Sequence, residues 1–199
     1  MGVVRLERTL DLAVLISGRG SNLQAIIDAC KNPEFPARIA VVISNKPDVY
    51  GLERARDAGI DTHVVPHSGR PKAEFEAQLH EVISDYDVNL ICLAGFMRIL
   101  SADFIAKWPN KIINIHPSLL PKHKGLDTHQ RALEAGDTQS GCTVHYVVPE
   151  MDSGPIIVQK SVPILDGDTP DTLAARVLEQ EHIAYPEAIK LVAQKRLKN

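Results

Sequence analysis

Short apolar runs alternate with amphipathic stretches through the first two thirds of the chain. Positions 12–16 (Leu-Ala-Val-Leu-Ile) are apolar without interruption, as a strand covered on both faces requires. Positions 22–29 follow with Leu23, Ile26 and Ile27 spaced to share one helical face. The unit recurs as strand 39–43, a turn at 45–48, a helix over 51–58 closed by Gly59, and strand 62–65. A helix over 71–85, with Pro71 in its first turn and Phe75, Leu79, Val82 and Ile83 on one side, leads to strand 88–93. Helix 102–107 and strand 111–115 complete the series, the latter reading as one more parallel strand. This alternation predicts an α/β fold on a mostly parallel, twisted sheet with helices on both faces.

Beyond residue 116 the rhythm changes. A Pro-rich loop precedes a short helix near 130–135, and strands 142–148 and 155–162 lie close enough in sequence to predict a locally antiparallel edge. The last helix, over about 172–194, carries Leu173, Val177, Ile183, Ile189, Leu191 and Val192, and Pro186 within it predicts a kink or a break. With no repeat, low-complexity tract or linker, residues 1–199 read as a single domain.

Composition narrows the class. Of 199 residues, 44% are hydrophobic and 24% charged, which suits one ordinary core of a soluble globular protein. The formal net charge of -3 leaves no basic footprint for nucleic acid, since basic residues cluster only at Lys195, Arg196 and Lys198. No apolar run approaches a membrane span, and residues 1–8 are mixed and charged, unlike a signal peptide, so a cytoplasmic protein is expected. Cys30, Cys92 and Cys142 lie far apart, and His63, His67, His80, His123, His129 and His182 show no ligand spacing, so neither a disulfide framework nor a metal is expected.

Three loops can carry chemistry. The junction Ser17-Gly18-Arg19-Gly20-Ser21-Asn22 joins a strand to a helix N-terminus, where amides and the helix dipole favour an anion. It lacks the Gly-Lys-Ser/Thr of a Walker A loop, and Leu23 stands where a dinucleotide fingerprint has its third glycine. A tight turn with Ser or Asn capping the helix is the structural alternative. The second loop, Asn114-Ile115-His116-Pro117-Ser118-Leu119-Leu120-Pro121, begins at a strand's carboxyl end, where open α/β sheets bind ligands. Asn114 and His116 are two apart and so share one side; an amide donor beside a proton-bearing imidazole suits a tetrahedral oxyanion in acyl transfer. No Gly-x-Ser-x-Gly elbow suggests a covalent serine step. The third, Glu150-Met151-Asp152-Ser153-Gly154-Pro155, reads in isolation as a solvated hairpin turn.

These segments, with Leu93-Ala94-Gly95-Phe96-Met97-Arg98-Ile99-Leu100 and Gln180-Glu181-His182, together resemble the phosphoribosylglycinamide formyltransferases, folate-dependent enzymes of purine synthesis. The motifs follow the same order, and the resemblance runs from about residue 12 to 197. It implies a Rossmann-like formyltransferase fold and transfer of the formyl group of 10-formyltetrahydrofolate to the amine of glycinamide ribonucleotide. It further implies a chain working as a monomer or homodimer, with no metal and no nucleotide cofactor.

The resemblance assigns Gly20, Ser21 and Asn22 to the ribonucleotide phosphate and Glu181, with Gln180, to the ribose. Met97, Arg98, Ile99 and Leu100, together with Asn114 and the loop Val148, Pro149, Glu150, Met151 and Asp152, would surround the folate, to which Lys72, or alternatively Arg70, would add a cation. Asn114, His116 and Asp152 are the implied catalytic trio, and His145, on the same strand face as Thr143, is a secondary candidate. The stretch after Pro121 departs from the family pattern: Lys124 replaces a small residue or proline, and Asp127 a histidine or aromatic. A formyltetrahydrofolate hydrolase, a methionyl-tRNA formyltransferase or a catalytically inert binding module would share parts of this pattern. The chain's length and charge are expected to disfavour the first two, and the complete trio the third.

Overall fold

The computed structural model describes residues 9–197, apart from the side chain of Leu197, and resolves into two compact units. The charged start over 1–8 and Lys198 of the basic cluster lie outside the described residues.

The first unit comprises the described residues up to Met97 together with those from Ile189 onward. Its elements are β1 (Leu10–Ile16), α1 (Ser21–Cys30), β2 (Ala37–Ser44), α2 (Tyr50–Asp57), β3 (Asp61–Val64), α3 (Lys72–Ser84) and β4 (Leu90–Leu93). The strands lie in the order β3-β2-β1-β4, every pair parallel. β1 has a neighbour on each side, and residues 12–16 are fully buried, as in a strand covered on both faces, which explains their unbroken apolar run. The predicted helical stripes are buried at Leu23, Ile26 and Ile27 of α1 and at Phe75, Leu79 and Ile83 of α3. Parallel strands of one sheet end together, so the loops after β1, β2, β3 and β4 open at a common edge.

The second unit, Arg98–Ala188, contains α4 (Ala102–Lys107), β5 (Ile112–His116), α5 (Thr128–Glu134), β6 (Gln139–Tyr146), β7 (Ile156–Pro163) and α6 (Pro170–Leu197) up to Ala188. β5 and β7 both pair antiparallel with β6. Antiparallel pairing therefore begins with β5, one strand earlier than the sequence suggested. Strand direction is set by the connection: the 117–127 loop and the short α5 bring the chain back into β6 at the same end at which β5 leaves, without a crossover.

α6 narrows the expectation of a kink or a break at Pro186. It is one helix of 28 residues with Pro186 in its interior, so the chain does not break there. An interior proline costs roughly 3 kcal/mol; here Ala184, Tyr185, Ala188 and Ile189 are completely buried around it, and that packing offsets the missing hydrogen bond. Of the apolar residues that the helix carries, Leu173, Val177, Ile189 and Val192 are buried, whereas Ile183 and Leu191 are 53% and 42% exposed.

Candidate active site

In the second unit, register brings the candidate side chains together. Asn114 pairs with His145 and His116 with Thr143 across β5 and β6, so four polar residues occupy one face of two neighbouring strands. His145 is buried, and its Nδ1 donates to the Tyr146 carbonyl at 2.9 Å. That leaves Nε2 as the acceptor of the neutral ring, where it receives the Asn114 amide at 3.4 Å. Burial holds the His145 pKa below the ordinary histidine value, against the Tyr146 carbonyl bond and the Asp152 carboxylate, which act in the other direction. His145 thus orients Asn114 with the amide hydrogen toward the ring.

Asp152 enters from the turn between β6 and β7. Gly154 allows this: a Cβ there would lie 1.8 Å from the Tyr146 carbonyl oxygen, so only glycine fits the close backbone approach. Asp152 itself has φ 50°, a left-handed conformation tolerated by Asp. Its Oδ2 accepts the Gly125 N–H at 2.9 Å and lies 3.4 Å from His116 Nδ1; its Oδ1 lies 3.7 Å from His145 Nε2. His116 Nε2 donates to the His123 carbonyl at 2.9 Å. Both ring nitrogens of His116 thus face oxygen acceptors, the His123 carbonyl and the Asp152 carboxylate.

The 117–127 loop that supplies His123 and Gly125 is stitched down by side chains. Thr143 Oγ1 donates to the Ser118 carbonyl at 2.7 Å and accepts from Leu120 N at 3.1 Å, while Gln159 Nε2 donates to the Leu120 carbonyl at 2.8 Å. Ser118 Oγ closes onto the Lys122 carbonyl at 2.6 Å. His123 Nε2 meets Asp137 Oδ2 at 2.7 Å, and Lys122 Nζ meets Oδ1 of the same carboxylate at 2.8 Å; together they hold the Asp137 carboxyl below its usual range. Sequence reasoning missed the His123 carbonyl and the Gly125 N–H, because backbone groups carry no residue-type signal. Glu181 on α6 is buried and close enough to Cys142 to contribute, after burial, to a thiol pKa pushed up to about 12. Its neighbour Gln180 is half-buried.

In the first unit the candidates are shaped by backbone. Gly20 is the N-cap of α1 at φ 70°, with a Cβ-to-Gly51 Cα separation of only 2.7 Å if one were added. Gly51 N in turn donates to the Gly18 carbonyl at 3.0 Å, so the starts of α1 and α2 approach glycine to glycine. Neither Ser21 nor Asn22 caps α1, whose first turn has no side-chain cap and no acidic residue. The first turn of α1 thus carries no acidic side chain that would oppose an anion at this helix N-terminus. Ser17 Oγ donates to Asn45 Oδ1 at 2.6 Å and accepts from Met97 N at 2.7 Å, fixing the entry to the 97–100 segment.

Met97 and Ile99 are 65% and 70% exposed, whereas Leu100 is buried and Arg98 half-buried. Pro149, Glu150 and Met151 are exposed and Val148 half-buried on the turn that carries Asp152. Lys72, the first residue of α3, lies 4.0 Å from Glu76, while Arg70 bonds Gln78. Among the described residues no group of three or more His, Cys, Asp or Glu is arranged to hold a metal ion, and no helix is long and apolar enough to cross a membrane.

The family model described as formyl transferase matches residues 10–189. The chain belongs to the formyl transferase family. Among curated relatives, the phosphoribosylglycinamide formyltransferase of Escherichia coli K12 is 50% identical over 190 residues, 95% of this chain and 90% of that one. The human trifunctional purine biosynthetic protein adenosine-3 is 50% identical over 183 residues, 92% of this chain, and the chain spans 18% of that relative's length. Among solved structures, glycinamide ribonucleotide transformylase 1 of Symbiobacterium toebii superposes with a TM-score of 0.93 at 47% identity, covering 98% of this chain and 93% of that one. The formyl transferase fold thus comprises both units, parallel first and antiparallel last.

Proposed function

We propose that this chain transfers the formyl group of 10-formyltetrahydrofolate to the amine of glycinamide ribonucleotide, a step of purine synthesis. The observation that carries the reading is the Asn114–His116–Asp152 arrangement: an oriented amide donor, and an imidazole with a carboxylate 3.4 Å away. The substrate amine attacks the formyl carbon, and the oxyanion so formed is stabilised by the Asn114 amide and by His116 once substrate replaces the His123 carbonyl at Nε2. The bond from the formyl carbon to N10 of the folate then breaks, and the proton lost by the amine goes to that nitrogen through a water held by Asp152. Asp152 acts throughout as the counter-charge of His116.

Substrate placement follows the same reading. Gly20, Ser21 and Asn22 hold the phosphate with backbone amides, and Gln180 and Glu181 hold the ribose. Met97 to Leu100 and Val148 to Asp152 hold the pterin, exposed Met97 and Ile99 offering apolar contact. Lys72, or alternatively Arg70, supplies the cation for the folate. The reading treats residues 1–199 as one formyltransferase domain, cytoplasmic, without a metal, acting as a monomer or homodimer.

Release of tetrahydrofolate from 10-formyltetrahydrofolate tests this directly. Release is expected only when glycinamide ribonucleotide is present. Release that ignores the ribonucleotide would identify a hydrolase, and none under either condition an inert binding module.

A further inference from the structure

Beside the acidic turn, α5 presents Arg131, which none of the roles above uses. Its Nη1 donates to the Lys124 carbonyl at 2.6 Å and to the Leu126 carbonyl at 3.2 Å. Those two carbonyls bracket Gly125, whose N–H donates to Asp152 Oδ2 at 2.9 Å. The Lys124 carbonyl and the Gly125 N–H belong to one peptide unit. In a trans peptide they point in opposite directions.

A guanidinium therefore sits at the oxygen end of that peptide dipole and a carboxylate at its hydrogen end, so each charge strengthens the other's hydrogen bond. Lys124 adds a second tie, its Nζ donating to Ser153 Oγ at 2.6 Å, one residue beyond Asp152. Gly125 has φ 81°, a conformation that a side chain would strain, and this turns the N–H toward the carboxylate.

We propose that Arg131 is a positioning residue for the reaction: through the Lys124–Gly125 peptide it sets the orientation of Asp152, and through Asp152 that of His116. The kinetic consequence rests on the transfer reading above; the structural relay does not.

The test uses the full chain with Arg131→Gln, Arg131→Lys and, as a neighbouring control, Gln130→Ala, all required to keep the wild-type thermal midpoint. In amide-proton NMR spectra, Asp152→Asn shifts the Gly125 amide to higher field by removing its charged acceptor. Arg131→Gln is expected to shift the same amide in the same direction, with Arg131→Lys partly restoring it and Gln130→Ala leaving it in place. In steady-state kinetics, Arg131→Gln should lower kcat about three- to tenfold, the scale of weakening one charge-assisted bond, with KM for both substrates within about twofold. A Gly125 amide that ignores Arg131→Gln overturns the relay, and a shifted amide with unchanged kcat overturns the positioning role. Failure of the transfer reading would show differently, as a wild type without turnover, and the Gly125 amide would still decide the relay.

Discussion

The two units handle charge by different means. In the first, parallel strands end at a common edge, and the candidate anion site is made from backbone: amides at the start of α1 and two glycines in contact. In the second, antiparallel register stacks Asn114, His116, Thr143 and His145 on one face, and the candidate chemistry is made from side chains. Parallel edges offer helix N-termini and hence fixed partial charges. Antiparallel pairs offer opposed side chains close enough to titrate and reorient one another. A phosphate needs a site that never changes protonation, whereas acyl transfer needs one that carries a proton at the right moment.

Substitutions separate the two strategies most sharply at the side-chain site. Asn114→Ala and Asp152→Asn should each reduce turnover on the order of a hundredfold to a thousandfold, the cost of an oxyanion donor or its supporting charge, with folding intact by circular dichroism. Near wild-type turnover in both variants would remove the side-chain site from the chemistry.

At the backbone site the expected damage is steric. Gly20→Ala meets both the positive φ and the Gly51 contact, and should cost about 2–4 kcal/mol in urea unfolding while raising KM for the ribonucleotide. Gly59→Ala, at the same φ of 70° but with nothing within 4 Å, should cost only about 1–2 kcal/mol. Equal costs would mean that the glycine-to-glycine contact contributes nothing.

Ser17→Ala tests the polar tie of the first unit. It leaves the buried Asn45 amide and the Met97 N–H without their partner and should cost about 1–3 kcal/mol, read from the urea midpoint.

The smallest effect is a pH dependence from two histidines of the second unit. Burial lowers the pKa of both His145 and His129 in the folded chain. The unfolded state then binds more protons than the folded state as pH falls through the ordinary histidine value of 6.5. The stability from keeping these rings neutral is present above that value and lost below it. A series of urea midpoints from neutral to acidic pH should fall in the wild type and fall less in a His129→Gln, His145→Gln double variant.

The unequal legibility of the two units has the same origin. Strand 12–16 was readable because complete burial leaves an unbroken apolar run, and Asn114 with His116 because a spacing of two on a strand puts both on one side. The antiparallel entry of β6 was not readable at β5, since an isolated strand carries no mark of its partner's direction. Whether Pro186 breaks the helix was not readable for a related reason: local propensity sees the missing N–H but not the buried packing around Tyr185. The Gly125 N–H and the His123 carbonyl were invisible because backbone groups are common to every residue. Lys124 and Asp127 did mark the loop as unusual, and that loop supplies both groups.

The most direct measurement follows the carbon itself. With 10-formyltetrahydrofolate labelled with carbon-13 in the formyl group, the wild type should place the label in an amide of glycinamide ribonucleotide, and Asp152→Asn should do so on the order of a hundredfold more slowly. Label recovered as formate, or transferred equally fast by Asp152→Asn, would contradict a formyl transfer carried out by the side chains of β5, β6 and the Asp152 turn.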